Sequence, residues 1–323
     1  MVERVDLQCE TVTFTERKAM ANWMTSRHIM RHHSRISGLV IVTMGLLLGR
    51  QAWATEPAAT DPVHELFGPE NLVAWCIVPF DAKKRGPAER AEMVERLVLK
   101  RVAYDWRDEH VPTFEEEIQE YQKHGIEFFA FWSWHDSLAP LVKKYGIRPQ
   151  IWSTCPSPTE GSQQDKVVAA ANAMLPLVEK CRELGLSLGL YNHGGWGGEP
   201  ANLVAVCEEL RQHHDAIHVG IVYNFHHGHG HIDDFAESLK LMQPHLLCLN
   251  INGMTDEATV LAGRDKILPV GSGAYEREML QIVVESGYSG PIGILDHRSE
   301  LDAEESLRAN LEGLKLVIED LHE

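Results

Sequence analysis

The sequence predicts one (β/α)8 barrel over residues 70–323. Apolar, strand-like segments alternate with amphipathic helical ones eight times, and strands that alternate with helices pair in parallel. A glycine recurs between helix end and strand start, at Gly125-Ile126, Gly146-Ile147, Gly185-Leu186 and Gly287-Tyr288. There it can take the left-handed conformation that turns the chain back to a sheet. The competing doubly wound sheet would carry a glycine-rich phosphate turn after its first strand. That segment is instead Pro79-Phe80-Asp81-Ala82-Lys83-Lys84.

In order, Leu72–Pro79 reads as a strand by its apolar run, Ala88–Leu99 as a helix and Arg101–Trp106 as the second strand. Thr113–His124 reads as a helix opened by a capping box of Thr113 and Glu116. The aromatic-rich Ile126–Trp132 is the third strand, Leu138–Tyr145 a short helix and Arg148–Ser153 the fourth strand. In Asp165–Leu184 the apolar residues Val167, Ala171, Met174, Val178 and Cys181 step by four and three, which predicts a long helix. Leu186–Asn192 is the fifth strand, and Pro200–His213 a helix with proline at its first position. Ile217–Asn224, Leu246–Ile251 and Pro291–Leu295 are strands six to eight. Asp233–Met242, Tyr275–Ser286 and Glu304–Leu321 are the helices that follow each of them.

The residues before the barrel read differently. Arg31, His32, His33 and Arg35 form a basic n-region, Ile36 to Leu48 an apolar h-region, and Ala52-Trp53-Ala54 an A-x-A cleavage site. Residues 30–54 therefore read as a signal peptide, 1–29 as an upstream extension of the reading frame, and 55–69 as a polar leader. The expected location is periplasmic or extracellular. The h-region is too short to span a bilayer, and no membrane span is expected in the mature chain. Five cysteines follow the signal, an odd number without pattern in apolar stretches, which reads as buried thiols. The formal charge is −17. Such a surface repels phosphate backbones, so nucleic acid is excluded as a partner.

Barrel chemistry sits at the carboxyl ends of the strands. Those ends carry Asp105-Trp106-Arg107, Trp132-Ser133-Trp134-His135, Trp152, Asn192-His193 with Trp196 beyond, Asn224 with His226 to His231 beyond, Asn250, and Asp296-His297-Arg298. Indole faces pack on sugar C–H surfaces, while Asn and His bond hydroxyls. A small carbohydrate is therefore the expected ligand. Its expected contacts are Trp106, Arg107, Trp132, Trp134, His135, Trp152, Asn192, Trp196, Asn224, Asn250, His297 and Arg298. The plainer reading of Trp132 and Trp152 is that they fill the barrel interior. Asp105, His193, His227 and Asp296 are the candidates for acid, base or ligand. No glutamate ends a strand, which argues against a standard glycosidase. No G-x-S-x-G elbow supports a serine hydrolase.

Four segments resemble the xylose isomerase-like (AP endonuclease family 2) TIM barrels of sugar isomerases and epimerases. They are Leu190-Tyr191-Asn192-His193, Val219 to His227, Leu268-Pro269-Val270-Gly271-Ser272-Gly273 and Gly287-Tyr288-Ser289-Gly290-Pro291-Ile292-Gly293-Ile294. The resemblance implies proton transfer next to a carbonyl and a divalent metal held by Glu, Asp, His and Glu at strands five to eight. Here those positions read as Tyr191 or Asn192, Asn224, Asn250, and Leu295 or Asp296, with the family's histidine kept as His227. The expectation is thus a sugar isomerase or epimerase, with Zn, Mn or Mg held by His193, His227 and Asp296. The alternatives are a keto-sugar lyase, or a carbohydrate-binding barrel that has lost its metal-binding carboxylates.

Overall fold

A computed structural model describes residues 61–321. The expected signal peptide and the start at Met30 lie outside the described residues. Eight strands close into one parallel barrel in chain order. They are β1 Leu72–Trp75, β2 Arg101–Tyr104, β3 Glu127–Trp132, β4 Gln150–Thr154, β5 Leu188–Tyr191, β6 Val219–Asn224, β7 Leu246–Ile251 and β8 Ile292–Leu295. Closure is made by β1 against β8, with Leu72 opposite Ile292 and Trp75 opposite Leu295. The outer ring contains α2 Pro87–Arg96, α3 Phe114–Lys123, α4 Leu138–Tyr145, α5 Gln163–Leu184, α6 Pro200–His213, α7 Phe235–Met242, α9 Glu276–Glu285 and α10 Ala303–Leu321. Two short helices are additional: α1 Pro62–Leu66 before the barrel and α8 Glu257–Leu261 after β7.

The predicted alternation is borne out. The linking glycines 125, 146, 185 and 287 all have φ between 65° and 70°. The expected box at Thr113 is not formed. Residues Asp108–Thr113 wind into a 3-10 turn, and the Thr113 hydroxyl donates to the His110 carbonyl (2.9 Å) instead of capping α3. Asp61 caps α1 by accepting from the Val63 N–H (3.0 Å), which makes a helix of what reads as polar leader.

Because side chains alternate along a strand, each strand feeds two cores. Leu72, Ala74, Val102, Ile151, Leu188, Ile221 and Ile294 face the helices. Val73, Trp75, Ala103, Trp152, Tyr191, Val222, Cys248 and Leu295 fill the barrel. Trp152 is fully buried there, edge-on to Trp75 at 4.9 Å between ring centroids. So large an indole needs space opposite. A Cβ at Gly189 would lie 3.1 Å from Trp152 Cδ1 and 2.5 Å from Val222 Cγ2. All five cysteines among the described residues are free and buried.

Candidate active site

The strand alternation decides which strand-end residues meet. Above the Trp152 layer, Tyr191 from β5 lies across the barrel mouth, its ring 4.7 Å from that of Trp132. Its hydroxyl accepts from Trp75 Nε1 (3.4 Å) and from Asn224 Nδ2. Over this floor opens a pocket of about 80 Å³, lined by Trp75, Cys76, Phe80, Asp105, Arg107 and Trp132. Its other wall is Tyr191 with the imidazoles of His193, His226, His227 and His297.

Asp105 directly follows β2 and points inward, buried at 2% exposure. One carboxylate oxygen accepts from the Val78 N–H (3.3 Å), and the other has no hydrogen-bond partner. Burial pushes the carboxyl up to about 7, against the pull of the Arg107 guanidinium. Cys76 adjoins it on a backbone with φ of 61°. Burial, with the charge of Asp105 next, raises that thiol well above its ordinary range. A left-handed conformation is costly for a residue with a Cβ and tends to occur at functional sites.

The imidazoles form a chain of contacts. His193 and His227 lie 4.5 Å apart between ring centroids, His227 and His226 3.6 Å, and His226 stacks toward His297 at 5.6 Å. Burial lowers His227 to about 3 and His297 to about 4, with neighbouring cationic groups adding to it, and holds His226 well below its usual value. These three rings are therefore neutral near pH 7. His226 Nδ1 and His227 Nε2 are buried without partners. Neutral imidazoles offer a donor or an acceptor by choice of tautomer.

Of the residues expected at the site, Asp105, Arg107, Trp132, His193, His227 and His297 are brought together here. Asp296 is not. Leu295 faces the barrel, so Asp296, one residue on, faces the helix layer. There its carboxylate accepts from Ser306 Oγ on α10 and lies 3.9 Å from Arg298 Nε. The expected cluster of His193, His227 and Asp296 therefore does not form. Arg298 follows Asp296 outward and donates to the same serine hydroxyl.

The remaining candidates are held in structural contacts outside the pocket lining. Trp106 packs against Phe114 and Phe131 outside the barrel, with His135 edge-on to it at 5.0 Å. Trp134 donates to Asp136 (2.7 Å) beneath the Lys180 ammonium. Trp196 donates to Gln163 (3.1 Å) at the start of α5. Trp152 is the barrel filling. The Asn192 amide behaves as an extra peptide between two strands: its Oδ1 accepts from the Asn224 N–H (2.8 Å) and its Nδ2 donates to the Asn224 carbonyl (3.0 Å). Asn250 Oδ1 accepts from the Cys248 thiol (3.5 Å) over Gly293, where a Cβ would come within 1.7 Å of it.

Sequence reasoning missed Trp75, Cys76 and Phe80; it put Tyr191 at a family metal position and His226 on the site face, but assigned neither to the ligand pocket. Counting by twos from inward Trp75 does not reach Cys76, because its left-handed backbone breaks the alternation. Counting by twos along β5 reaches Tyr191.

No family model and no curated protein matches the chain. Solved structures do. A Xylose Isomerase domain protein from Alicyclobacillus acidocaldarius is 17% identical, with a TM-score of 0.58 over 79% of this chain and 99% of that one. The fold is that of the xylose isomerase-like TIM barrels. Two further structures with this barrel are the IolI protein with a bound zinc atom and the 3-keto-D-glucoside 4-epimerase YcjR of E. coli. The first is 13% identical, with a TM-score of 0.61 over 78% of this chain and 99% of that one. The second is 13% identical, with a TM-score of 0.56 over 77% and 98%. At these identities the likeness is one of architecture.

Proposed function

We propose that this xylose isomerase-like barrel is a sugar isomerase or epimerase that moves a proton next to a carbonyl, with Asp105 as the proton-transferring group. The observation that carries this is the Asp105 carboxyl: buried in the pocket, with one oxygen unpartnered, and held near pH 7. A general base is most effective when its pKa lies near the working pH. Asp105 would take the proton from the carbon beside the carbonyl. A neutral imidazole of the His226, His227 and His297 set would donate to the carbonyl oxygen as negative charge gathers there. Trp132 supplies an apolar face for the sugar ring. The 3-keto-D-glucoside 4-epimerase YcjR, which shares the barrel, supports this reading.

A divalent ion does not fit the donors as arranged. Tyr191 and Asn224, at the positions where the resemblance implies metal-binding carboxylates, are bonded to each other, and Asn250 to Cys248. Asp296 faces α10. Among the described residues no three His, Cys, Asp or Glu are grouped to hold an ion. The proton transfer is therefore assigned to side chains alone. The same loss of inward carboxylates supports a second reading, a carbohydrate-binding barrel without catalysis.

The test is deuterium uptake from heavy water into a panel of keto- and aldo-sugars, followed by NMR for wild type and Asp105→Asn. Wild type is expected to label the carbon beside a carbonyl. The variant should be roughly a hundredfold to ten-thousandfold slower, the contribution of one general base. Uptake unchanged in the variant would refute the assignment. Binding without uptake would leave the second reading.

A further inference from the structure

Resting on the proton-transfer reading, we propose that the sugar handled in this pocket carries a carboxylate and no phosphate, and that Arg107 receives the carboxylate. Arg107 is the one Arg or Lys lining the pocket. Its guanidinium makes two contacts, neither of them with a carboxylate. Nη1 donates to the Trp106 carbonyl (2.7 Å), and Cζ stands 5.5 Å from the Phe80 ring centroid. Phe80 is itself fixed against His297 at 3.8 Å between centroids. Arg107 forms no ion pair among the described residues. In a chain with 47 acidic and 30 basic residues, an arginine that lines a pocket without an ion pair is unusual. Its planar fork matches a carboxylate through paired N–H donors. The neutral imidazoles of His226, His227 and His297 supply hydrogen bonds for hydroxyls.

Phosphate is disfavoured by what has been done to the backbone amides. Barrels often receive phosphate at the loops after strands seven and eight, with a helix N-terminus. Here internal carboxylates already fill those amides. Asp81 accepts from the Ala303 N–H (3.2 Å) and Asp302 from the Glu304 N–H (3.0 Å) at the start of α10. After β7, Glu276 accepts from the Met254 N–H (2.9 Å) and the Gly273 N–H (2.7 Å). A dianion would find these four amides already taken. A monoanion needs only the arginine.

The experiment is calorimetric titration and thermal shift of the purified protein with D-galacturonate and D-gluconate, against D-galactose and D-galactose 6-phosphate, repeated with Arg107→Leu and Arg107→Lys. The acids are expected to bind at least tenfold more tightly than the neutral sugar. Arg107→Leu should abolish that preference, a roughly tenfold to hundredfold loss for one charged bidentate contact. Arg107→Lys should keep part of it. The proposal is overturned if no acid binds, if galactose binds as tightly as the acids, if the 6-phosphate binds best, or if Arg107→Leu leaves acid affinity unchanged. Arg107-dependent acid binding without deuterium uptake would sink the proton-transfer reading and leave this one standing. Uptake into neutral sugars, undiminished in Arg107→Leu, would do the reverse.

Discussion

Replacing Asp105 by Asn should make the protein more stable at alkaline pH while removing its chemistry. The carboxyl titrates near 7 in the folded state and near 3.9 in an unfolded chain. Below about pH 4 it is protonated in both states and costs nothing. Between about pH 4 and 7 the unfolded chain releases the proton that the folded one keeps. The unfolded state then binds fewer protons, and stability falls as pH rises. Above about pH 7 both states are ionised and the loss is complete. At 1.36 kcal/mol for each of roughly three pH units, the full loss is about 4 kcal/mol. Burial is the physical source: a carboxylate with one oxygen unpartnered has given up its water without full replacement. Asparagine occupies nearly the same volume and carries no charge. Urea unfolding of wild type and variant across about pH 5 to 8 measures the difference directly. The variant's advantage should grow with pH toward an upper bound of about 4 kcal/mol. A difference that stays flat with pH, or a variant less stable than wild type near pH 8, would refute the reasoning. A functional carboxyl that costs stability is the usual trade at active sites.

Two further outcomes follow from other parts of the barrel. Glu117, buried and paired with Arg90 at 2.6 Å between α3 and α2, should lose about 3–5 kcal/mol on substitution by Gln, read by chemical denaturation, because the guanidinium is left buried with half a partner. Trp152→Ala should cost about 3–5 kcal/mol by the cavity it opens under the site floor, with near-ultraviolet circular dichroism reporting the loss of the Trp75–Trp152 contact.

The fold was legible because its signals are local and repeated: an apolar run, an amphipathic run, a glycine. Each helix-ending glycine answers a backbone demand that its own neighbours create. The face carrying the pocket was legible too, since closure puts every strand end on one rim. What sequence alone could not give was parity at the last strand residue. Asp296 and Leu295 differ by one position, and that step separates the helix layer from the pocket. The same step sends Trp106 outward beside inward Asp105, and makes Asn192 a strand-bridging amide beside inward Tyr191. Position at a strand end marks a residue as a site candidate whichever way its side chain faces. Yet buried amides at strand ends also serve to finish the hydrogen bonding of a sheet that stops, as Asn192 does for Asn224. At the strand five and six ends an aromatic floor, Tyr191 tied to Trp75 and Asn224, replaces what would be a charged cluster. The one inward carboxylate of the pocket, Asp105, then stands at the end of β2. The proposed chemistry is thereby displaced toward β1, β2 and the His297 end of β8, where Asp105 and Arg107 line the pocket with Phe80 and His297.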